Sequence, residues 1–169
     1  MMINSIVKFT ALTFAGIVLM GCSVNSNQTA QDSVRTPDLV SNENLIAYAK
    51  SGYDAFKVND MEAWALTQAD DAVWTMPKGF PYGGTYIGPE DVIKNVFAPI
   101  AEYWPDFKVE PISYHASGNT VFIRTKMTTA GEVSDSLHMA VIENGKYVKF
   151  QVFDDTHFMM KSAKKVSTE

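Results

Sequence analysis

The stretch SDSLHMAVIENGKYVKFQVFDDTHF, residues 134–158, decides the fold. Two runs rich in β-branched and aromatic residues, 134–142 and 146–158, flank Glu143-Asn144-Gly145. Asn-Gly supplies the two positive-φ positions of a tight hairpin turn, so the runs pair antiparallel. Working outward, 107–115 and 120–129 flank Ser117-Gly118-Asn119 and predict a second hairpin. Four successive antiparallel strands therefore close the chain.

Upstream the hydrophobic period changes. Ser41 or Asn42 can cap a helix in which Leu45, Tyr48, Ala49, Gly52 and Phe56 form one apolar face. The helix breaks at Val58-Asn59-Asp60, and Asp60 caps a second, short helix over 61–69. Ala72 to Met76 reads as a strand. Residues 77–88 hold four glycines and two prolines and predict a loop. Pro89, Glu90 and Asp91 suit the first turn of a third helix, which Pro99 should kink or end. Helices grouped before a meander of strands give an α+β class, with three N-terminal helices packed in a curved antiparallel sheet. The βαβ alternation of a dinucleotide-binding fold is absent from the pattern.

Four segments carry a resemblance that covers nearly all of this region. They are Tyr53-Asp54-Ala55-Phe56 with Asn59-Asp60-Met61-Glu62-Ala63, and Val73-Trp74-Thr75-Met76-Pro77. Residues 81–90, PYGGTYIGPE, form the third, and His138 with Asn144-Gly145-Lys146 and Phe153-Asp154-Asp155-Thr156 the fourth. In order and spacing they resemble the SnoaL-like and ketosteroid-isomerase-like branch of the nuclear-transport-factor-2-like superfamily. The resemblance implies a cone-shaped α+β barrel with an apolar pocket, in which some members use an Asp or His as acid or base. It places Asp155 at the family's acidic position and His138 at a polar position on the preceding strand. Trp74 and Phe153 match positions around the cavity.

Strand alternation puts Gln151, Phe153 and Asp155 on one face and Val152 and Asp154 on the other. Asp155 is therefore expected to be the pocket carboxylate, with His138 as its catalytic partner. Tyr82, Tyr86 and Tyr103 are candidate hydroxyl donors to an enolate, and Tyr86 and Tyr103 are counted with Trp74 and Phe153 as pocket residues. The plainer reading has Asp155 and Thr156 capping a strand end and His138 satisfied in the core. Gly83-Gly84 lacks the lysine and hydroxyl of a phosphate loop and suits a tight bend at the cone's mouth. Asp154, Asp155 and His157 do not form a metal site, because neighbouring strand residues point apart, and no cofactor is expected. A non-catalytic reading remains beside the pocket: Val121, Ile123, Met127 and Val141 could form a sheet-face interface for a second copy or another protein.

The first residues answer a different question. Lys8 is the only charge in residues 1–31, Phe9 to Met20 is almost wholly apolar, and Gly21 precedes Cys22, the only cysteine. The segment reads as an export signal. Leu19-Met20-Gly21-Cys22 resembles the lipobox of bacterial lipoproteins, which implies acylation of Cys22 and a cell-envelope location. Ser23 resembles the outer-membrane sorting pattern of Gram-negative bacteria. Residues 1–21 are then a signal peptide, 22–40 an acylated cysteine and polar tether, 41–160 the domain and 161–169 a frayed tail. Lys8 is the single charge lost with the signal, leaving 13 basic against 19 acidic side chains. That balance argues against nucleic acid as a partner and leaves a small hydrophobic ligand and the membrane.

Overall fold

Helix α1 runs Asn42–Lys57 and α2 Met61–Leu66, in a computed structural model that describes residues 40–164. The signal segment, Cys22 and most of the tether lie outside the described residues, as do 165–169 of the expected tail. Ser41 accepts the Asn44 N–H at 3.2 Å and Asp60 the Ala63 N–H at 2.9 Å, so both helices begin on side-chain caps. Leu45, Ala49, Gly52 and Ala55 bury one stripe of α1. Gly52 lets the two elements approach closely there, since a Cβ would lie 3.0 Å from the Tyr147 hydroxyl.

Strand β1, Gln68–Met76, follows directly and is longer than its apolar run predicted. Part of the glycine-rich segment is also ordered. Gly84–Ile87 forms β2, antiparallel to β1, where a loop was expected. Its backbone completes a ladder that local composition does not reveal. Helix α3, Pro89–Val92, then passes through a π-helical turn, Ile93–Phe97, into α4, Ala98–Tyr103. The irregularity precedes Pro99. Proline has no N–H for the Asn95 carbonyl, and Ala98 N–H reaches back five residues to Ile93 O.

Strands β3 Lys108–Ser117, β4 Thr120–Thr129, β5 Glu132–Glu143 and β6 Lys146–Phe153 form the expected meander. Its turns use positive φ at Gly118, at Ala130 and Gly131, and at Asn144 and Gly145. The sheet order is β2-β1-β6-β5-β4-β3. It is mixed rather than wholly antiparallel, because β1 lies parallel to β6. Residues 156–158, expected to end the last strand, instead begin helix α5, Thr156–Ser162. Trp104 Nε1 donates to Met159 O at 2.9 Å, and Lys164 N–H to Tyr103 O at 3.0 Å. Ordered structure therefore continues past Met160, where the tail was expected to start. No helix among the described residues is long and apolar enough to cross a membrane.

Candidate functional site

The concave face of the sheet carries Val121, Ile123, Thr125 and Met127 on β4, and Ser136, His138 and Ala140 on β5. On β6, Phe150 and Val152 point the same way. Helix α1, α2 and the π-helical turn cover this face with Tyr53, Phe56, Trp64 and Phe97. Between them lies a chamber of about 60 Å³ accessible to the centre of a water molecule. Its walls are mainly aromatic: Trp74 stacks on Phe150 at 4.0 Å and meets Trp64 edge-on at 5.3 Å. Phe97 packs on Trp64 at 4.6 Å and on Phe56 at 4.9 Å.

One polar cluster interrupts this lining. Tyr53 Oη lies 2.5 Å from His138 Nδ1, and His138 Nε2 lies 3.5 Å from Asp154 Oδ1. The Ser136 hydroxyl donates to the same Asp154 oxygen. The side chains of His138 and Asp154 are 8% and 6% exposed. Burial, with smaller contributions from neighbouring phenols and Asp154, pushes the Tyr53 phenol well above its ordinary value. Tyr53 thus keeps its proton and shares a hydrogen bond with Nδ1, in which donor and acceptor follow the imidazole tautomer. Nε2 faces the carboxylate yet makes no aligned hydrogen bond within the protein. Burial, and then Asp154, also raise Tyr82, so a second neutral phenol borders the chamber. Together these groups present a carboxylate, an imidazole and a phenol to whatever occupies an otherwise apolar space.

The sequence-predicted residues divide. His138 and Trp74 line the chamber, and Tyr82 joins them. Asp155 does not: its Oδ1 accepts the Phe158 N–H at 2.9 Å as N-cap of α5, and it is exposed. Phe153 faces outward at 49% exposure. Both follow from one error of phase. The alternation was read correctly, but the inward face is Phe150, Val152 and Asp154. The polar Lys149 and Gln151, alternating with the apolar Phe150 and Val152, carried that signal. Tyr86 lies on β2 outside the chamber, donating to Tyr82 O at 2.8 Å, and Tyr103 packs on Trp104. Val121, Ile123 and Met127 are fully buried and cannot meet a partner. Tyr53, Ser136 and Asp154 had been given no site role. Ser136 was accessible to sequence reasoning as the i−2 neighbour of His138, whereas Tyr53 needed the packing of α1 against β5. Among the described residues, no three His, Cys, Asp or Glu side chains are grouped as a metal site requires.

The SnoaL-like domain profile matches residues 49–150. A nuclear-transport-factor-2-like protein from Burkholderia thailandensis E264 is similar in structure, with a TM-score of 0.61 and 27% identity over 70% of this chain and 95% of that one. TerC, co-crystallised with polyporic acid, has a TM-score of 0.63 and 21% identity over 70% and 96%. A Sinorhizobium meliloti protein provisionally described as a polyketide cyclase has a TM-score of 0.56 and 19% identity over 68% and 100%. No match was found among curated proteins. The last two likenesses speak to the fold alone.

Proposed function

The chain belongs to the SnoaL-like domain family, and from that premise we propose an envelope lipoprotein whose pocket binds a small hydrophobic carbonyl compound and moves a proton on it. The observation that carries the pocket reading is the buried Asp154–His138 pair facing an aromatic chamber. In this reading Asp154 takes the proton from a carbon beside the carbonyl, and the C–H electron pair moves into the enolate. His138 Nε2–H or the Tyr82 phenol donates a hydrogen bond to the enolate oxygen. Return of the proton from Asp154 to another carbon gives an isomer. General acid–base catalysis of this kind supplies roughly 10²–10⁴-fold.

The test is solvent deuterium exchange at the α-carbon of cyclic enones incubated with the full chain in D₂O. We expect exchange in the unaltered protein, a loss of about 100-fold in Asp154→Asn, and no change in Asp155→Asn. Equal exchange in Asp154→Asn would remove the acid–base role and leave a binding protein.

Anchoring rests on Leu19-Met20-Gly21-Cys22 behind its apolar run. Two or more acyl chains give stable membrane attachment, here to the outer membrane facing the periplasm in a Gram-negative host. Cys22→Ser should move the protein from the membrane to the soluble fraction, and retention there would require another anchor.

A second reading, as an interaction or dimerisation module, is favoured by the convex sheet face. Leu137 and Phe153 pair across β5 and β6, with Phe122 nearby on β4, and the three are 37–49% exposed. Native mass spectrometry decides it. A dimer lost in Leu137→Lys supports the module, and a monomer at all concentrations removes self-association.

A further inference from the structure

The chamber does not end at its aromatic walls. Tyr53, Phe56, Phe97, Ile100, Phe107 and Val109 border both the chamber and a wider groove between α1, α4 and β3. On the same measure the groove holds about 1120 Å³. These shared residues set the groove beside the chamber, so a ligand whose apolar body fills the chamber can extend past this collar into the groove. The wall changes character there, from apolar to charged. Lys50 and Lys57 on α1 and Lys108 at the start of β3 border the groove, with Asp54 and Glu110. Lys50 Nζ lies 5.5 Å above the Tyr114 ring. None of the three lysines lies within 4.0 Å of a carboxylate among the described residues. Asp54 stands four residues after Lys50 and three before Lys57, so two cations share one acid along the helix. The groove is thus net positive on a chain whose formal charge is −5.

We infer that the ligand is an anionic amphiphile, with an apolar body in the chamber and an acidic group in the groove against Lys50, Lys57 and Lys108. The inference rests on the pocket reading above and names the part of the ligand that reading leaves open. Positive charge at the mouth draws such a ligand in and fixes which end enters first. The interaction is solvent-exposed, so it weakens as salt rises.

Two fluorescent probes with closely similar apolar bodies test it: 8-anilinonaphthalene-1-sulfonate and the uncharged N-phenyl-1-naphthylamine. With the full chain at low salt, the sulfonate should bind about fivefold tighter, as several exposed charge contacts allow. Lys50→Gln/Lys57→Gln/Lys108→Gln should abolish that preference and leave the neutral probe unchanged. A preference that survives the triple variant, or a neutral probe bound as tightly as the sulfonate, overturns the inference. Val109→Trp, which fills the collar, should remove both probes. A sulfonate probe that still binds it reports surface attachment only and also overturns the inference. If neither probe binds the unaltered chain, the pocket reading fails, and the inference fails with it.

Discussion

Asp154 and Asp155 are chemically identical neighbours with unlike surroundings. The first is closed off beside His138 and Ser136, while the second is exposed and holds the first turn of α5. Their substitutions should separate accordingly. Asp155→Ala removes an N-cap and should lower stability by about 1 kcal/mol, read as a shift in the urea midpoint with probe binding intact. Asp154→Asn should leave the urea midpoint nearly unchanged while altering ligand binding and exchange. A large stability loss in Asp154→Asn would mark the carboxylate as structural. Tyr53 belongs with this pair, because its hydroxyl is hydrogen-bonded to the imidazole through Nδ1. Tyr53→Phe should therefore change the pH profile of any exchange activity more than it changes ligand affinity.

At the scale of elements, the hairpin turn between β5 and β6 and the docking of α5 set where the site can form. Gly145 has φ of +77°, and a Cβ there would also come within 3.1 Å of Tyr48. Gly145→Ala should cost about 1–2 kcal/mol from the left-handed backbone alone. If its stability is unchanged by urea denaturation, that strain is relieved by turn rearrangement and the assignment of the turn is wrong. Helix α5 follows Asp154 immediately and is pinned by the Trp104 indole to Met159 O. Trp104→Phe leaves that carbonyl unpaired, at about 1–3 kcal/mol. It should raise amide hydrogen exchange across 156–162 before the sheet loosens. The π-helical turn has a comparable positioning role: it brings Phe97 against Trp64 and Trp74, at the border of chamber and groove.

For the whole domain, buried phenols make stability sensitive to alkali. Burial raises Tyr53, Tyr82 and Tyr147 well above the ordinary value near 10, and raises Tyr114 to about 12. Below pH 10 these groups are neutral in both the folded and the unfolded chain, so their full contribution to stability is present. Above it the unfolded chain loses its phenolic protons first, and stability falls as pH rises toward the folded values. The urea midpoint should drop steadily from about pH 10 to 12, and less steeply in Tyr53→Phe. A flat profile over that range would mean the phenols are hydrated in the folded state.

The sequence by itself determined the α+β class, the caps of α1 and α2, and the two hairpins β3–β4 and β5–β6. Each of these rests on local periodicity, turn chemistry or a motif that fixes backbone direction within a few residues. It did not determine β2, the parallel pairing of β1 with β6, or the helix over 156–162. Those depend on partners far along the chain: β1 for the Gly84–Ile87 backbone, and Trp104 for Met159. The pocket carboxylate lay between the two kinds of information. Alternation divided residues 149–155 into two faces, with Phe150 and Val152 marking the apolar one, and the packing of Tyr53 and Phe97 over that face made it the chamber wall. Side-chain direction in a strand is local, whereas burial is a property of what packs against it.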